Sequence, residues 1–139
     1  MATITLPAHL ESLTRGLAFV VDCATAEGFP PRRITEIELA VEEALVNICQ
    51  YAYPDRTGEV EVRCARDETP HFLIEIVDTG VHFDLLSVPT VNFPADPTQL
   101  QIGGLGIPLI LALVDRVTYH RNGTQNILQL AVRLPLCEA

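Results

Sequence analysis

The stretch ELAVEEALVNICQYAY, residues 38–53, decides the fold because it carries two superimposed patterns. It belongs to a segment that begins after Pro30-Pro31 and has apolar residues every three or four positions, which predicts an amphipathic helix. The residues of this apolar stripe are Ile34, Ile37, Val41, Leu45, Ile48 and Ala52. Glu43 and Asn47 lie about 200° and 240° around the helix from the stripe's centre, so they are stacked neighbours that point away from the core.

The pair Glu43 and Asn47 has two interpretations. The first is a solvated helix face, which is common for polar residues opposite an apolar stripe. The second is a cleft wall, which Leu39 and Val46 favour because they make the same face partly apolar. In a cleft the pair would be chemically useful. An amide oxygen is a hard ligand that suits Mg²⁺, and a carboxylate one turn away can accept a proton from a hydroxyl or a water.

Further elements follow from the hydrophobic periods on both sides of this helix. A first helix is predicted over about residues 7–27. The period changes to two from Gly58, which predicts a strand near residues 60–64 and a more buried one over residues 72–77. After an irregular stretch, the pattern predicts a short helix over about residues 107–114, a strand near residues 116–120 and a last strand near residues 128–134. The expected fold is a two-layer α/β sandwich, with helices on one face of a mostly antiparallel, mixed sheet.

Asp78-Thr79-Gly80 follows the buried strand and is the second candidate site. Taken alone, this motif is typical of an ordinary turn. As part of a site, the Asp78 carboxylate could accept a hydrogen bond from an exocyclic amine, and Gly80 would let a flat ring approach the backbone. The irregular stretch that follows, about residues 81–102, is longer than most structureless loops, and an active-site lid is one common use of such a loop.

Gly103-Gly104-Leu105-Gly106 opens the short helix and is the third candidate site. Glycine N–H groups at a helix N-terminus can hold phosphate oxygens without any side-chain charge, although a flexible connector is the other interpretation. Asn122-Gly123-Thr124 lies between two predicted strands and predicts a hairpin turn, with Thr124 as an additional hydrogen-bond donor.

Composition restricts the function classes. A chain of 139 residues with 48% hydrophobic and 19% charged residues is expected to form one domain, residues 1–139. It contains no Lys, which excludes a Walker-type phosphate lysine and a Schiff base, and its net charge of -9 argues against binding nucleic acid or an anionic membrane. The N-terminal residues lack the pattern of a signal peptide, and the four Cys residues lack metal-ligand spacing. We therefore expect free thiols and a cytoplasmic location.

The order of the three motifs resembles the Bergerat ATP-binding fold. The resemblance covers about residues 30–135 and rests on Glu43 and Asn47 on a helix, Asp78 and Gly80 after a strand, and the glycines at a helix start. The amino-acid sequence is most similar to the anti-sigma-factor serine/threonine kinase branch in the stretches ELAVEEALVNICQYAY, IEIVDTGVHFD and GGLGIPLILALVDRVTY.

The resemblance implies a role for each motif. Asn47 would coordinate the Mg²⁺ that bridges the ATP phosphates, and Glu43 would be the general base toward a serine or threonine hydroxyl. Asp78 would bind the adenine amine, with Gly80 beneath the ring and Thr124 assisting. The amides of Gly103, Gly104, Leu105 and Gly106 would bind the phosphates, and residues 81–102 would form the lid.

The resemblance also implies partners. A kinase of this branch phosphorylates a small anti-sigma antagonist and alternately sequesters a sigma factor, and relatives that do so are often dimers. Residues 81–102 contain no Arg, whereas the branch commonly has a basic residue in the lid. A nucleotide-binding, partner-sequestering module without kinase activity is therefore the alternative. A histidine-kinase catalytic domain would need a separate chain bearing the phospho-acceptor His, and an α/β domain without a nucleotide site remains the simplest competing hypothesis.

Overall fold

Five strands form one sheet in the computed structural model of this chain, which describes residues 1–54, 56–81 and 106–135, without the side chains of residues 106–108. In chain order the elements are β1 (Ala2–Pro7), a short 3₁₀ turn (Leu10–Ser12), α1 (Leu13–Ala26), α2 (Pro31–Tyr51), β2 (Glu59–Arg66), β3 (His71–Asp78), α3 (Gly106–Leu113), β4 (Arg116–Asn122) and β5 (Gln125–Arg133).

The sheet has the strand order β1-β2-β3-β5-β4, and each of the four pairings is antiparallel. The predicted α/β sandwich is confirmed. A parallel pairing, which a mixed sheet would contain, does not occur among the described strands. The predicted hairpin turn is also present, because β4 and β5 are joined through Gly123 and Thr124, and Gly123 has a φ of 62°. That positive φ is readily adopted by glycine, which explains the residue at this position.

The core lies between the helices and one face of the sheet, and its side chains come from alternate positions of the strands. Fully buried members with large side chains include Leu6, Val20, Ile37, Val41, Val62, Phe72, Ile74, Ile76, Ile110 and Leu130. The third helix is fixed to the second by Arg33, which donates to the carbonyl oxygen of Leu113 at 2.6 Å and to Asp115 Oδ2 at 3.2 Å. Helix α2 therefore contacts α3 in addition to the sheet.

The N-terminal residues differ from the prediction. The predicted first helix began near Pro7, but the chain forms β1 there, and α1 begins only at Leu13. Strand β1 pairs with β2, so that Leu6 lies opposite Val60 and is buried. The signal was present as an alternation of Thr3, Ile4, Thr5 and Leu6, but a short edge strand gives too few repeats for its period to be decisive. Among the described residues, no helix combines the length and apolar character that a bilayer crossing requires.

Candidate functional site

Three polar residues lie in the core of the described structure, and all three line the same pocket. Asn47 is 4% exposed, Asp78 is 6% exposed and Asn126 is 4% exposed. The pocket is narrow, with a cavity volume of about 20 Å³. Its other lining residues are Ile48, Ala52, Val81, Tyr119 and Leu128. Burying polar groups is unfavourable, so their concentration at one pocket indicates a binding site with an apolar wall.

Helix α2 supplies one wall of this pocket through Asn47. The side chain was predicted to point away from the core, but Asn47 is buried and lines the pocket together with Asp78 and Asn126 of the sheet. Of the two interpretations, the cleft wall is therefore the correct one for Asn47.

Glu43 lies one helical turn before Asn47 and is half-buried. Its Oε2 atom is buried and has no hydrogen-bond partner within the described part of the chain. Burial, and to a lesser degree the nearby charge of Glu42, raises the pKa of the Glu43 carboxyl above its ordinary value. A carboxylate oxygen without a partner among the described residues, on a carboxyl with a raised pKa, is suited to accept a proton. The role of general base stays a prediction.

Asp78 ends β3 and is fixed by two hydrogen bonds. Its Oδ1 atom accepts from the backbone N–H of Gly80 at 2.8 Å and from Nδ2 of Asn126 at 2.8 Å. The backbone N–H of the next residue, Val81, donates to the carbonyl oxygen of Ala52 at 2.8 Å. The turn after β3 is therefore attached to the C-terminal end of α2, which brings Asp78 and Asn47 to the same pocket.

Close packing explains why glycine occupies position 80, and the sequence did not reveal this. A Cβ atom at this position would lie 2.1 Å from the carbonyl oxygen of Ala52. Since no such contact is sterically allowed, only glycine lets the turn approach the end of α2 this closely. The expectation that Gly80 admits a flat ring remains a prediction beside this packing requirement.

Asn126 was not predicted as a site residue. It faces Asp78 across the β3–β5 pairing, and its Nδ2 donates to Asp78 Oδ1 and to the carbonyl oxygen of Val81 at 2.9 Å. The sequence did contain a signal, because Asn126 precedes Leu128 and Leu130 by even steps and so occupies a core-facing position. A polar residue at a core-facing position needs hydrogen-bond partners, and Asp78 is one of them.

The remaining predicted residues are placed differently. Thr124 is exposed in the hairpin turn and lines an adjoining open cleft, together with Arg56, Thr79 and Arg121. It is not among the residues that line the pocket of Asp78. Gly106 begins α3, whereas Gly103, Gly104 and Leu105 lie outside the described residues, as does the predicted lid after Val81.

The described side chains can also be compared with the ligands that Mg²⁺ prefers. In the described ranges, no group of three or more His, Cys, Asp or Glu side chains is arranged to hold a metal ion. The residues present instead fit an ion that shares its coordination with a ligand. The buried amide of Asn47 offers a hard oxygen donor of the kind that Mg²⁺ prefers.

Helix α2 and the Asp-x-Gly turn after β3 meet on an antiparallel sheet, where Asn47 and Asp78 line one pocket. This arrangement defines a class of ATPase domain. The family model described as "Histidine kinase-like ATPase domain" matches residues 6–132, and the chain belongs to this family. The curated relatives include Serine-protein kinase RsbW of Listeria monocytogenes, which is 29% identical over 123 residues, covering 85% of this chain and 78% of the relative. Serine-protein kinase RsbW of Oceanobacillus iheyensis is 35% identical over 99 residues, covering 68% of this chain and 62% of the relative.

Solved structures show the same fold. A chain with the RsbU and RsbW domains of a Mycobacterium tuberculosis protein superposes with a TM-score of 0.64 at 14% identity, covering 96% of this chain and 33% of that one. The histidine kinase domain of a blue-light activated kinase from Erythrobacter litoralis has a TM-score of 0.56 at 20% identity, covering 88% and 61%. The predicted fold and the family resemblance are confirmed.

Proposed function

We propose that this chain is an ATP-dependent protein serine/threonine kinase that acts as a regulatory switch of the anti-sigma-factor type. The observation that carries the proposal is that Asn47 and Asp78, from different elements, line one buried pocket, with the proton-accepting Glu43 one turn away. Relatives named Serine-protein kinase RsbW support the kinase class.

The base of the nucleotide is assigned to the pocket beside Asp78. Adenine carries an exocyclic amine, and a carboxylate is an acceptor that such a donor can meet directly. Apolar side chains such as Ile48 and Leu128 line the same pocket and can pack against a flat ring. The assisting role of Thr124 stays a prediction, and we assign the neighbouring position beside Asp78 to Asn126.

The triphosphate is assigned to Asn47 and to the backbone amides of residues 103–106. In a chain without Lys, we propose that these amides and a divalent cation meet the phosphate charge. Mg²⁺, when bound with the nucleotide, would neutralise the charge that develops on the transferred phosphoryl group. On the protein side, Asn47 offers its amide oxygen to that ion, and residues 81–102 would cover the nucleotide as a lid.

Glu43 is the proposed catalytic residue. The hydroxyl of a serine or threonine must lose its proton as it attacks the γ-phosphate, and the Oε2 atom of Glu43 has no competing partner among the described residues. The proton moves from the hydroxyl oxygen to the carboxylate, the bond between the oxygen and the γ-phosphorus forms, and ADP leaves.

The proposed partners are a small single-domain anti-sigma antagonist as phosphoryl acceptor and a sigma factor as the protein held in the alternate state. We also propose a cytoplasmic location and a homodimer, in which two chains would act together. Neither nucleic acid nor a membrane is a proposed partner, since a net charge of -9 repels both polyanionic surfaces.

A second candidate is a nucleotide-binding module that sequesters a partner without transferring phosphate. The observation in its favour is the predicted lid, because residues 81–102 contain neither Arg nor Lys to stabilise charge on the transferred phosphoryl group. Tight binding of Mg-ATP without turnover distinguishes this candidate from the kinase.

The test measures transfer of labelled γ-phosphate from ATP to a small antagonist protein, in parallel with the ATP-dependent rise in melting temperature. We expect Glu43→Ala to abolish transfer and keep the melting shift, because this residue acts on the hydroxyl. We expect Asp78→Asn to lose the melting shift as well, because the acceptor for the base amine is changed.

Glu42→Ala is the matched control, since it removes the adjacent carboxylate from the same helix and should keep both signals. Transfer by Glu43→Ala at the unaltered rate would contradict the role of Glu43. Absence of any melting shift with millimolar Mg-ATP in the unaltered protein would contradict a nucleotide site altogether.

A further inference from the structure

The amide group of Asn126 is held from both ends. Its Nδ2 atom donates to Asp78 Oδ1 at 2.8 Å and to the Val81 carbonyl oxygen at 2.9 Å, with the Gly80 carbonyl oxygen at 3.4 Å. Its Oδ1 atom accepts from the Tyr119 hydroxyl at 2.7 Å and from Arg121 Nη1 at 3.0 Å. With 4% of its surface exposed, Asn126 makes these contacts away from water.

The orientation of this amide follows from the chemistry of its neighbours. A guanidinium group has only donors, so the atom of Asn126 that Arg121 meets must be the oxygen. On the other side, the carboxylate of Asp78 and the two carbonyl oxygens are acceptors, so the atom that they meet must be the nitrogen. Turning the amide around would place its oxygen against three acceptors and its nitrogen against a donor-only group.

The inner face of the sheet brings these groups together. Val60, Asp78, Asn126 and Arg121 lie opposite one another in register across β2, β3, β5 and β4. Tyr119 lies two residues before Arg121 on β4 and therefore on the same face. Tyr119 and Arg121 thus both reach Asn126 from β4, on the side opposite Asp78.

The locked amide has a consequence for Asp78. Because Asn126 presents a donor to Oδ1 and the Gly80 N–H presents another, both contacts of this carboxylate within the described part of the chain use one oxygen. The carboxylate is held in one orientation, and Oδ2 is left as the acceptor for a ligand. An acceptor in this position favours a ligand that offers a donor and disfavours one that offers a carbonyl oxygen.

We infer that Tyr119 and Arg121 are specificity-determining positioning residues, which lock the Asn126 amide so that Asp78 selects a purine with a 6-amine over one with a 6-oxo group. The inference rests on the proposed function, namely that the pocket takes a nucleotide. Tyr119 and Arg121 act on the nucleobase through Asn126 and Asp78, and neither needs to bond with the base itself.

The experiment compares dissociation constants for ATP and inosine triphosphate, which differ at position 6 of the base, where an amine is replaced by an oxo group. We expect the unaltered protein to prefer ATP by about 10- to 100-fold, the range expected when a site loses a hydrogen bond to a buried acceptor. In Tyr119→Phe and in Arg121→Met this ratio should fall by about three- to tenfold, because a less fixed amide holds Asp78 less strictly.

Thr118→Val is the matched control, since it removes a hydroxyl from the exposed face of β4 without touching Asn126. Its ratio should equal that of the unaltered protein. A purely structural effect of Tyr119→Phe would weaken both nucleotides equally and leave the ratio unchanged, and this result would overturn the inference. An equal fall of the ratio in Thr118→Val would overturn it as well.

Binding of the two nucleotides to the unaltered protein distinguishes the nucleotide site from its selectivity. If the unaltered protein binds neither nucleotide, the proposed nucleotide site is wrong. If it binds both equally, the site stands and the inference is overturned.

Asn126→Asp provides a second variant of nearly the same shape. It keeps an oxygen for Tyr119 and Arg121 but removes the amide donor to Asp78, so the preference for ATP should fall toward equal binding of the two nucleotides while circular dichroism shows a folded chain. A folded Asn126→Asp protein with an unchanged ratio would also overturn the inference.

Discussion

The two ends of strand β3 have opposite chemistry. At its start, Phe72 is fully buried and its ring lies 5.6 Å from that of Phe29, centroid to centroid, in an apolar part of the core. At its end, Asp78 is buried beside Asn126 and near Asn47, the other two buried polar residues of the described structure. The same eight-residue strand therefore contributes to the apolar core at one end and to the proposed binding site at the other.

The two ends of β3 differ in how much their burial stabilises the fold. Apolar burial stabilises the fold by about 25 cal/mol per Å², whereas a buried polar group contributes little net stability even when it is bonded. Buried polar residues at such a position are therefore candidates for an interaction beyond folding. Substitutions at the two ends should therefore separate stability from binding.

The largest effect is expected from Phe72→Ala. Removing this ring leaves a cavity beside Phe29 and should lower the free energy of unfolding by about 3–5 kcal/mol, measured by urea denaturation. Leu73→Ala is the control on the same strand, because Leu73 lies on the other face of the sheet and is only half-buried, so its loss should be smaller. An equal loss in both variants would remove the distinction between the apolar core and the open face.

Gly80→Ala tests how tightly the polar end is built. The added Cβ would meet the Ala52 carbonyl oxygen at 2.1 Å, so the turn after β3 must move, and we expect a loss of about 1–3 kcal/mol together with weaker ATP binding. Gly16→Ala is the matched control in α1, because its Cβ would meet only the flexible ends of Leu6 and Leu45, each at 3.2 Å. If Gly80→Ala were as stable as Gly16→Ala and bound ATP normally, the close approach at Ala52 would not matter.

Glu43→Gln should have the smallest effect and the opposite sign. The pKa of Glu43 is raised by burial, so the folded state holds the proton more tightly than the unfolded state does. The resulting stabilisation is complete below the ordinary glutamate pKa of about 4.3 and is lost as the pH rises through the raised value. At pH 7 the ionised carboxylate is unfavourable, and a neutral amide should raise the melting temperature by about 1–4 °C.

The pH series supplies the control for Glu43→Gln. The gain should disappear as the pH is lowered to about 4, where both side chains are neutral, and Glu42→Gln should show a smaller gain at pH 7. A melting temperature at pH 7 that is equal to or lower than that of the unaltered protein would contradict the buried, unpartnered state of Glu43.

Local patterns were sufficient for much of the fold. The 3.6-residue period identified α2, the alternation of Val60, Val62 and Cys64 identified β2, and the glycine at position 123 identified the hairpin turn. Each of these signals is contained in a short segment of chain. The edge strand β1 was misassigned because its stability comes from pairing with β2, about 55 residues later in the chain.

The site was predicted only as far as its residues have recognisable motifs. Asn47 and Asp78 were predicted from their motifs, but the pocket that they share depends on the contact between Gly80 and Ala52, which no local pattern encodes. Asn126 was overlooked because its significance depends on register, since it becomes a site residue only by lying opposite Asp78. Long-range pairing is a property of the assembled sheet, and a single sequence does not display it.

The register of β3 and β5 also limits how this protein can change over evolutionary time. Side chains alternate between the faces of a sheet, so shifting β5 by one residue against β3 would turn Asn126 to the open face and bring a neighbour opposite Asp78. A shift of two residues would keep Asn126 on the inner face but would place Thr124 or Leu128 opposite Asp78. A length change in the exposed hairpin turn is therefore compatible with this site only if the pairing of Asn126 with Asp78 is kept.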